Sequence, residues 1–234
     1  MDFDQPLLPA TLVRRYKRFL ADVVLADGTP LTVHCPNSGA MTTCAKPGMP
    51  VLLSDSQNPK RKLRYTWELI CMDGTWVGVN TINPNKAVSG FVAAQCIPEL
   101  AGYAHLRREV SYGSDGKSRI DVLLSDGQRS DCYVEIKNAT MRVGAHAAFP
   151  DAVTSRGQKH LEALMHVRQR GERAVIFFFI GRSDCARFRP ADEVDPRYGV
   201  LLREAVATGV EVLAYRMAFD PHGVRVLGPA PVDV

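Results

Sequence analysis

Several common sequence signatures are missing from this chain of 234 residues. Its longest apolar run covers only residues 174–180, far short of the roughly 20 residues that span a membrane, so we expect no membrane segment. There is no Gly-x-Gly-x-x-Gly fingerprint, phosphate-binding loop or Gly-x-Ser-x-Gly motif, which argues against a nucleotide cofactor and against a serine hydrolase. The N-terminus is acidic and lacks a basic stretch followed by an apolar one, which predicts a cytoplasmic protein without a secretory signal.

Cysteine is present without a recognisable pattern. The six cysteines are widely scattered and no Cys-x-x-Cys pair occurs, so neither a disulfide framework nor a usual zinc site is expected. His34 and Cys35 with Cys44 match no standard ligand spacing. We therefore interpret the cysteines as structural thiols that behave as small hydrophobic residues.

Composition and length indicate a globular protein with two domains. Hydrophobic residues make up 46% and charged residues 23% of the chain, and 234 residues are comfortable for two cores. From residue 10 to 80, short alternating apolar runs separated by Gly-containing turns predict a small β-barrel. Its strands are expected at 19–25, 31–34, 51–53, 65–72 and 76–79. A linker at 80–85 then divides a domain of residues 1–82 from one of residues 83–234.

The second domain changes to a mixed pattern of helices and strands. A hairpin of strands 118–124 and 132–137 is followed by alternating helices and apolar strands, which predicts an α/β sheet covered by helices. The helices are expected at 87–100, behind an Asn cap at 83 or 85, and at 154–170 and 196–208. The later strands are expected at 174–180 and 210–215, with a short one after the turn at 220–223.

Positive charge is concentrated in two clusters of the first domain. The net charge of +4 is too small to identify a partner, but residues 14–18 and 60–64 each hold four basic residues in five. Such a run usually keeps a surface soluble. Aromatic residues beside both clusters, namely Tyr16, Phe19, Tyr65 and Trp67, favour a nucleic-acid groove instead. The basic residues concerned are Arg14, Arg15, Lys17, Arg18, Lys60, Arg61, Lys62 and Arg64.

Three charged residues in the hairpin predict a metal site. Strand alternation places Asp121 on one face of its strand, and Glu135 with Lys137 on one face of the next. A hairpin symmetric about Gln128 would put Asp121 directly opposite Glu135, where two carboxylates need a shared proton or a cation between them. A divalent ion and a lysine are suited to phosphodiester hydrolysis. Each strand would then have one apolar face and one charged face.

The same residues have an ordinary structural explanation. Glu-x-Lys preceded by an Asp occurs by chance in many chains, and surface strands often carry such charges. The following helix places Arg156, Lys159 and His160 on one side, where they could neutralise backbone phosphates. A solvated helix face explains those three residues equally well, so both interpretations stay open.

Longer motifs resemble one known family. The stretch His34-Cys-Pro-Asn-Ser-Gly-Ala-Met41 is highly specific, and shorter matches follow in the expected order along nearly the whole chain. The sequence is identified on these motifs as a member of the sugar fermentation stimulation protein A family. The other matching stretches are 14–22, 58–62, 65–69, 78–81, 118–121, 133–138, 149–152 and 156–160.

The resemblance implies a fold and a function. It implies a two-domain α/β protein with an N-terminal OB-fold barrel and a C-terminal restriction-endonuclease-like PD-(D/E)xK domain. It also implies DNA binding, with single-stranded DNA as one option, and a link to regulation of sugar (maltose) metabolism. By motif, Asp121, Glu135 and Lys137 match the catalytic triad of those nucleases. Mg²⁺ or Mn²⁺ would be held by the two acids and the carbonyl of Ile136.

Three functions therefore remain open. A nuclease of this superfamily often adds an acid from its first helix, but here only Glu99 or Glu109 could serve. One alternative is a DNA-binding regulator whose acidic pair is vestigial. Another is a metabolic enzyme that acts on a sugar, which would show no salt-dependent affinity for DNA.

Overall fold

The first domain is a closed five-stranded barrel with one added strand. The computed structural model describes residues 1–112 and 118–234. The strands are β1 (Leu8–Tyr16), β2 (Leu20–Leu25), β3 (Pro30–His34), β4 (Pro50–Asp55), β5 (Tyr65–Met72) and β6 (Thr75–Gly78). They lie in the order β3-β2-β1-β4-β5-β6, and pairing of His34 with Thr66 joins β3 to β5 and closes the barrel. This is the closed architecture expected of an OB-fold.

The second domain is a six-stranded mixed sheet between helices. After α1 (Asn83–Ala93) and a short 3-10 helix (Pro98–Leu100) the chain forms six sheet strands, a small separate sheet and two further helices. The main sheet has the order β15-β14-β12-β9-β8-β7, with β9, β12 and β14 parallel. Its strands are β7 (His105–Tyr112), β8 (Ser118–Ser125), β9 (Cys132–Ala139), β12 (Arg173–Ile180), β14 (Glu211–Asp220) and β15 (Gly223–Pro229). The remaining elements are β10 (Met141–Val143), β11 (His146–Phe149), α2 (Ser155–Gln169), β13 (Arg187–Pro190) and α3 (Pro196–Ala207).

Each face of this sheet has its own apolar core. Residues of α1 pack on one face, and residues of α2 and α3 pack on the other. The central strand β12 is buried along almost its whole length, as its uninterrupted apolar sequence predicts. Side-chain caps fix where the two later helices begin: Thr154 accepts a hydrogen bond from the Gly157 amide, and Asp195 accepts one from the Tyr198 amide, both at 3.0 Å.

The sequence-based prediction was wrong at several boundaries. The expected helix 87–100 is two elements, α1 and the 3-10 helix, and α1 begins at Asn83 inside the expected linker. The expected Asn cap is absent, because Ile82 is the cap residue and makes no side-chain cap bond. Pro84 in the first turn explains this, since its fixed φ suits a helix start and it has no N–H to cap. Strands β1, β7, β10, β11 and β13 were not predicted.

Direct hydrogen bonds join the barrel to the second domain. The amide of Gly78 donates to the carbonyl of Gly181 at 2.8 Å, and the amide of Met41 donates to the Asp151 carboxylate at 3.0 Å. A Cβ at Gly78 would lie 2.4 Å from the Phe219 ring, so only glycine permits this approach. The loop of residues 36–41, between β3 and β4, is therefore held against the second domain. In the described ranges no helix is long and apolar enough to cross a membrane.

Candidate active site

The site is built where the pairing of β8 and β9 ends. The predicted register is confirmed, because Leu124 pairs with Cys132 and Val122 with Val134. At the next position the Asp121 carboxylate, through Oδ2, accepts the amide hydrogen of Ile136 at 2.7 Å. The Asp121 side chain thus takes the place of a strand partner. Backbone pairing opens here into a space between the two strands.

Glu135 is buried beside that space. Its side chain is 2% exposed, and Oε1 accepts a hydrogen bond from Lys137 Nζ at 2.7 Å. Its other oxygen, Oε2, is buried without a hydrogen-bond partner among the described residues. Helices cover the sheet on both sides, so the charged face of the hairpin lies in a pocket. A buried carboxylate oxygen without a partner is costly and indicates a site that takes a ligand.

Asp121 is held from the other side by helix α1. Its Oδ1 accepts a hydrogen bond from Asn85 Nδ2 at 2.7 Å, and the same amide lies 3.5 Å from Glu109. The first helix therefore contributes an amide where the sequence resemblance led us to look for an acid. Of the two acids considered from sequence, Glu109 is next to the site, whereas Glu99 accepts a hydrogen bond from the Tyr215 hydroxyl.

The two carboxyl groups differ in their affinity for protons. Burial, followed by the nearby charge of Glu135, raises the pKa of Asp121 to about 7. Burial alone would raise the pKa of Glu135 as well, but the charge of Lys137 and the hydrogen bond from His160 outweigh it and lower that pKa. Without a cation, Asp121 therefore binds a proton more tightly than Glu135 and loses it only as the pH rises through about 7.

His160 belongs to the pocket and not to an outer basic face. Its Nδ1 contacts Glu135 Oε1, and its Nε2 accepts a hydrogen bond from Arg156 Nε at 3.3 Å. The same Nδ1 lies 3.1 Å from Lys137 Nζ, so one ring nitrogen of His160 faces both charged groups of the Glu-x-Lys motif. Within the predicted row, Arg156 and His160 both line the pocket, whereas Lys159 is exposed outside its lining.

Both domains line the pocket around these residues. Its volume is about 420 Å³, within the range of small-ligand sites. The barrel contributes Arg18 and the loop at Asn37 and Gly39, while Arg156 and Asp151 line it from the second domain. Sequence reasoning missed Asn37, Asn85 and Asp151 as lining residues, because their positions depend on how the two domains pack.

The predicted basic residues of the barrel divide into three groups. Some are neutralised: Arg14 pairs with Asp22 at 2.8 Å and Arg64 with Asp55 at 2.6 Å. One is structural, since Arg15 donates hydrogen bonds to carbonyl groups of the 36–41 loop. The others are exposed at the surface or at the pocket: Lys17, Arg18, Lys60, Arg61 and Lys62.

The expected stacking role of Trp67 is wrong. Its side chain is completely buried in the barrel core, and its Nε1 donates to the carbonyl of Leu69 at 2.9 Å. Phe19 is the opposite case, because 47% of it is exposed. Of the rings considered, Phe19 is thus the one best placed to stack on a ligand.

The donor set is compatible with a hard divalent cation. Glu135 Oε2 and the Asp121 carboxylate supply two oxygens, and such ions are often held by one or two carboxylates together with water and phosphate. The Ile136 amide points at Asp121, and a strand residue directs its N–H and C=O to the same side, so the Ile136 carbonyl faces the same space. No group of three His, Cys, Asp or Glu side chains suited to a metal occurs in the part of the chain that is described. The site thus offers two carboxylates and one carbonyl.

Comparison with known families matches both domains. The model described as the SfsA N-terminal OB domain matches residues 13–79. The model described as the sugar fermentation stimulation protein RE domain matches residues 82–223.

Individual relatives cover the whole chain. A sugar fermentation stimulation protein homolog of Geobacter metallireducens is 54% identical over 99% of this chain and 99% of its own length. A homolog from Pelobacter propionicus is 54% identical over 97% of each chain. Among solved structures, Pyrococcus furiosus SfsA in complex with Ca²⁺ superposes with a TM-score of 0.91 at 27% identity, covering 100% of this chain and 98% of that one. The two-domain α/β fold with an OB barrel is thereby confirmed.

Proposed function

The chain belongs to the sugar fermentation stimulation protein family, and from that premise we propose that it is a DNA-binding, metal-dependent phosphodiesterase of the PD-(D/E)xK type. One observation carries the proposal: Glu135 Oε2 is buried without a partner beside Asp121 and Lys137, in a pocket open to solvent. Asp121 and Glu135, with the Ile136 carbonyl, would hold Mg²⁺ or Mn²⁺. The Pyrococcus furiosus relative in complex with Ca²⁺ supports a divalent ion in this family.

The residues of the chain have distinct roles in this proposal. A bound divalent cation would neutralise charge on a phosphoryl oxygen. Lys137 lies 2.7 Å from Glu135 and places its ammonium group at the pocket, where it stabilises negative charge that develops on the phosphate. His160, held by Arg156, fixes the orientation of Glu135. Asn85 fixes that of Asp121.

The test is cleavage of labelled single-stranded and duplex DNA with Mg²⁺ or Mn²⁺. We expect Asp121→Ala and Lys137→Met to lower the cleavage rate by about a hundredfold or more, as loss of an electrostatic catalytic group does. Glu162→Gln, an exposed acid on the same helix as His160, is the matched control and should cleave at the normal rate. Cleavage that is absent, or equal in Asp121→Ala and the parent protein, would refute the enzyme proposal.

One observation favours a second function, a DNA-binding regulator without catalysis. Both oxygens of Asp121 already accept hydrogen bonds, from Ile136 and from Asn85, which would let the pair persist without a metal. A regulator should bind DNA equally well with a chelator present, whereas the nuclease should bind more tightly with a divalent cation. Under both functions, we propose that the protein affects sugar (maltose) metabolism by acting on DNA.

A further inference from the structure

The wall that the barrel contributes to the pocket is fixed in place. Arg15 donates hydrogen bonds to the carbonyls of Asn37 and Gly39, both at 2.8 Å, and to that of Ala40 at 3.2 Å. A Cβ at Gly39 would lie 2.2 Å from Asp151, so the loop touches the second domain directly. The pocket of about 420 Å³ therefore has room for about one nucleotide, and not for both strands of a duplex.

The turn between β1 and β2 brings a cation to this pocket. Tyr16 pairs with Leu20, which leaves the three-residue tip Lys17–Phe19. Lys17 and Arg18 both have positive φ, at 47° and 61°, a conformation that is unfavourable for residues with a Cβ and is often found at functional sites. Arg18 lines the pocket and, among the described residues, forms no salt bridge. Its guanidinium is therefore available for a phosphate.

The pocket itself offers little ring surface on which a base could stack. Two aromatic rings are among its described lining residues: Phe149 already packs on Phe178 and Tyr198 with centroid distances of 5.8 and 5.2 Å, and the His160 ring is engaged by Glu135 and Arg156. Phe19, next to Arg18, has 47% of its surface exposed. A base outside the pocket can stack on that ring, while the sugar and phosphate enter beside Arg18.

The same rim of the barrel leads to the second basic cluster. Leu20 pairs with His34, and His34 pairs with Thr66, so these three residues cross neighbouring strands. Arg61 donates to the Thr66 hydroxyl at 3.2 Å. At about 4.8 Å between strands, the distance from Leu20 to Thr66 is about 10 Å. The exposed cations at 60–62 therefore continue the path that begins at Arg18.

We propose that the pocket takes a single DNA strand, held by two residues of the β1–β2 turn, with Arg18 on a backbone phosphate and Phe19 stacked on the neighbouring base. The proposal rests on the proposed function, since the strand would lead a phosphate to Asp121 and Glu135. It adds the substrate class and the two residues that select it.

Binding of a labelled oligodeoxynucleotide, single-stranded or annealed to its complement, tests this selection in the full-length protein. We expect the single strand to bind at least about tenfold more tightly than the duplex. Arg18→Ala should weaken single-strand binding about five- to tenfold and reduce the salt slope by about 0.7, the value for one phosphate contact. Phe19→Ala should weaken it about fivefold or more.

Two substitutions elsewhere in the barrel serve as matched controls. Lys46→Ala removes the same charge from an exposed position outside the pocket lining, and Val13→Ala removes an exposed apolar side chain from β1. Both should stay within about threefold of the parent affinity, and thermal unfolding midpoints of all four variants should agree. Equal affinity for duplex and single strand, or equal losses in Arg18→Ala and Lys46→Ala, would overturn the proposal.

Failure of this inference is distinguishable from failure of the proposed function. Metal-dependent cleavage of duplex that needs Asp121 but is unchanged in Arg18→Ala and Phe19→Ala would leave the nuclease standing and overturn the strand-binding role of the tip. Tight single-strand binding that depends on Arg18 and Phe19, without cleavage in the presence of any metal, would support strand binding by the turn and overturn the proposed nuclease activity.

Discussion

Replacing Asp121 by Asn should stabilise the metal-free protein at alkaline pH and have little effect at acidic pH. Burial and the charge of Glu135 raise the pKa of Asp121 to about 7 from its ordinary 3.8. A carboxyl whose pKa is raised by folding stabilises the fold fully while it is protonated in both states, below about pH 4. That contribution is lost as the pH rises through about 7. The uncharged amide of the Asp121→Asn variant keeps this stability at alkaline pH.

The size of the effect follows from the pKa difference. The gap between the two pKa values corresponds to about 4 kcal/mol, and we take half of it, about 2 kcal/mol, because Asp121 is partly exposed and solvent screens its charge. About two thirds of this, or about 1.3 kcal/mol, falls between pH 5 and pH 8. For a chain of this length that corresponds to about 3 to 5 °C in the unfolding midpoint.

The assay is thermal unfolding in chelator at about pH 5 and about pH 8. Asp73→Asn is the control, because Asp73 is an exposed turn residue with positive φ, a conformation that Asn also adopts, so its effect should be independent of pH. With Mn²⁺ present the order should reverse, since only the parent protein gains stability from binding. A gain for Asp121→Asn that is equal at both pH values would refute the reasoning.

Three further substitutions test the packing around the site. Gly39→Ala should destabilise the protein by about 1 to 3 kcal/mol in urea unfolding, because its Cβ would lie 2.2 Å from Asp151. Unchanged stability would contradict the close contact between the 36–41 loop and the second domain. Gly90→Ala in α1, where a Cβ meets nothing within 4 Å, should instead stabilise by about 0.5 to 1 kcal/mol, and a loss would contradict this. Glu68→Ala should cost about 1 to 3 kcal/mol, because it removes the oxygen that accepts hydrogen bonds from Asn80 and Asn83; unchanged stability would exclude this network.

Local pattern was sufficient to predict the core of the site. Alternation along β8 and β9 determined which residues face each other, so the pairing of Val122 with Val134 and the adjacent placement of Asp121 and Glu135 could be expected. The depth at which the two acids are buried could not be predicted from this alternation. Period-two alternation identifies the two faces of a strand, but whether the polar face meets water depends on helices that arrive from distant parts of the chain.

Edge and charged strands were missed for a physical reason. In β1 the apolar alternation runs into Arg14 and Arg15, so the segment resembled a solvated charge cluster although Leu12 is buried. Strand β7 lies at the edge of the sheet and exposes most of its residues, so its sequence shows no clear periodicity. Trp67 illustrates the converse: a ring beside a basic cluster was interpreted as a ligand contact, whereas β5 is buried on both faces there.

The barrel is connected to the chemistry as well as to binding. Glu68 of β5 accepts hydrogen bonds from Asn80 at 2.8 Å and Asn83 at 2.6 Å, and so fixes the start of α1. Two residues later Asn85 donates to Asp121 at 2.7 Å. The orientation of one acid of the site therefore depends on a buried carboxylate in the other domain. These hydrogen bonds connect Glu68 through the start of α1 to Asp121. A shift of the barrel would therefore move Asn85 and with it the carboxyl group that Asn85 holds.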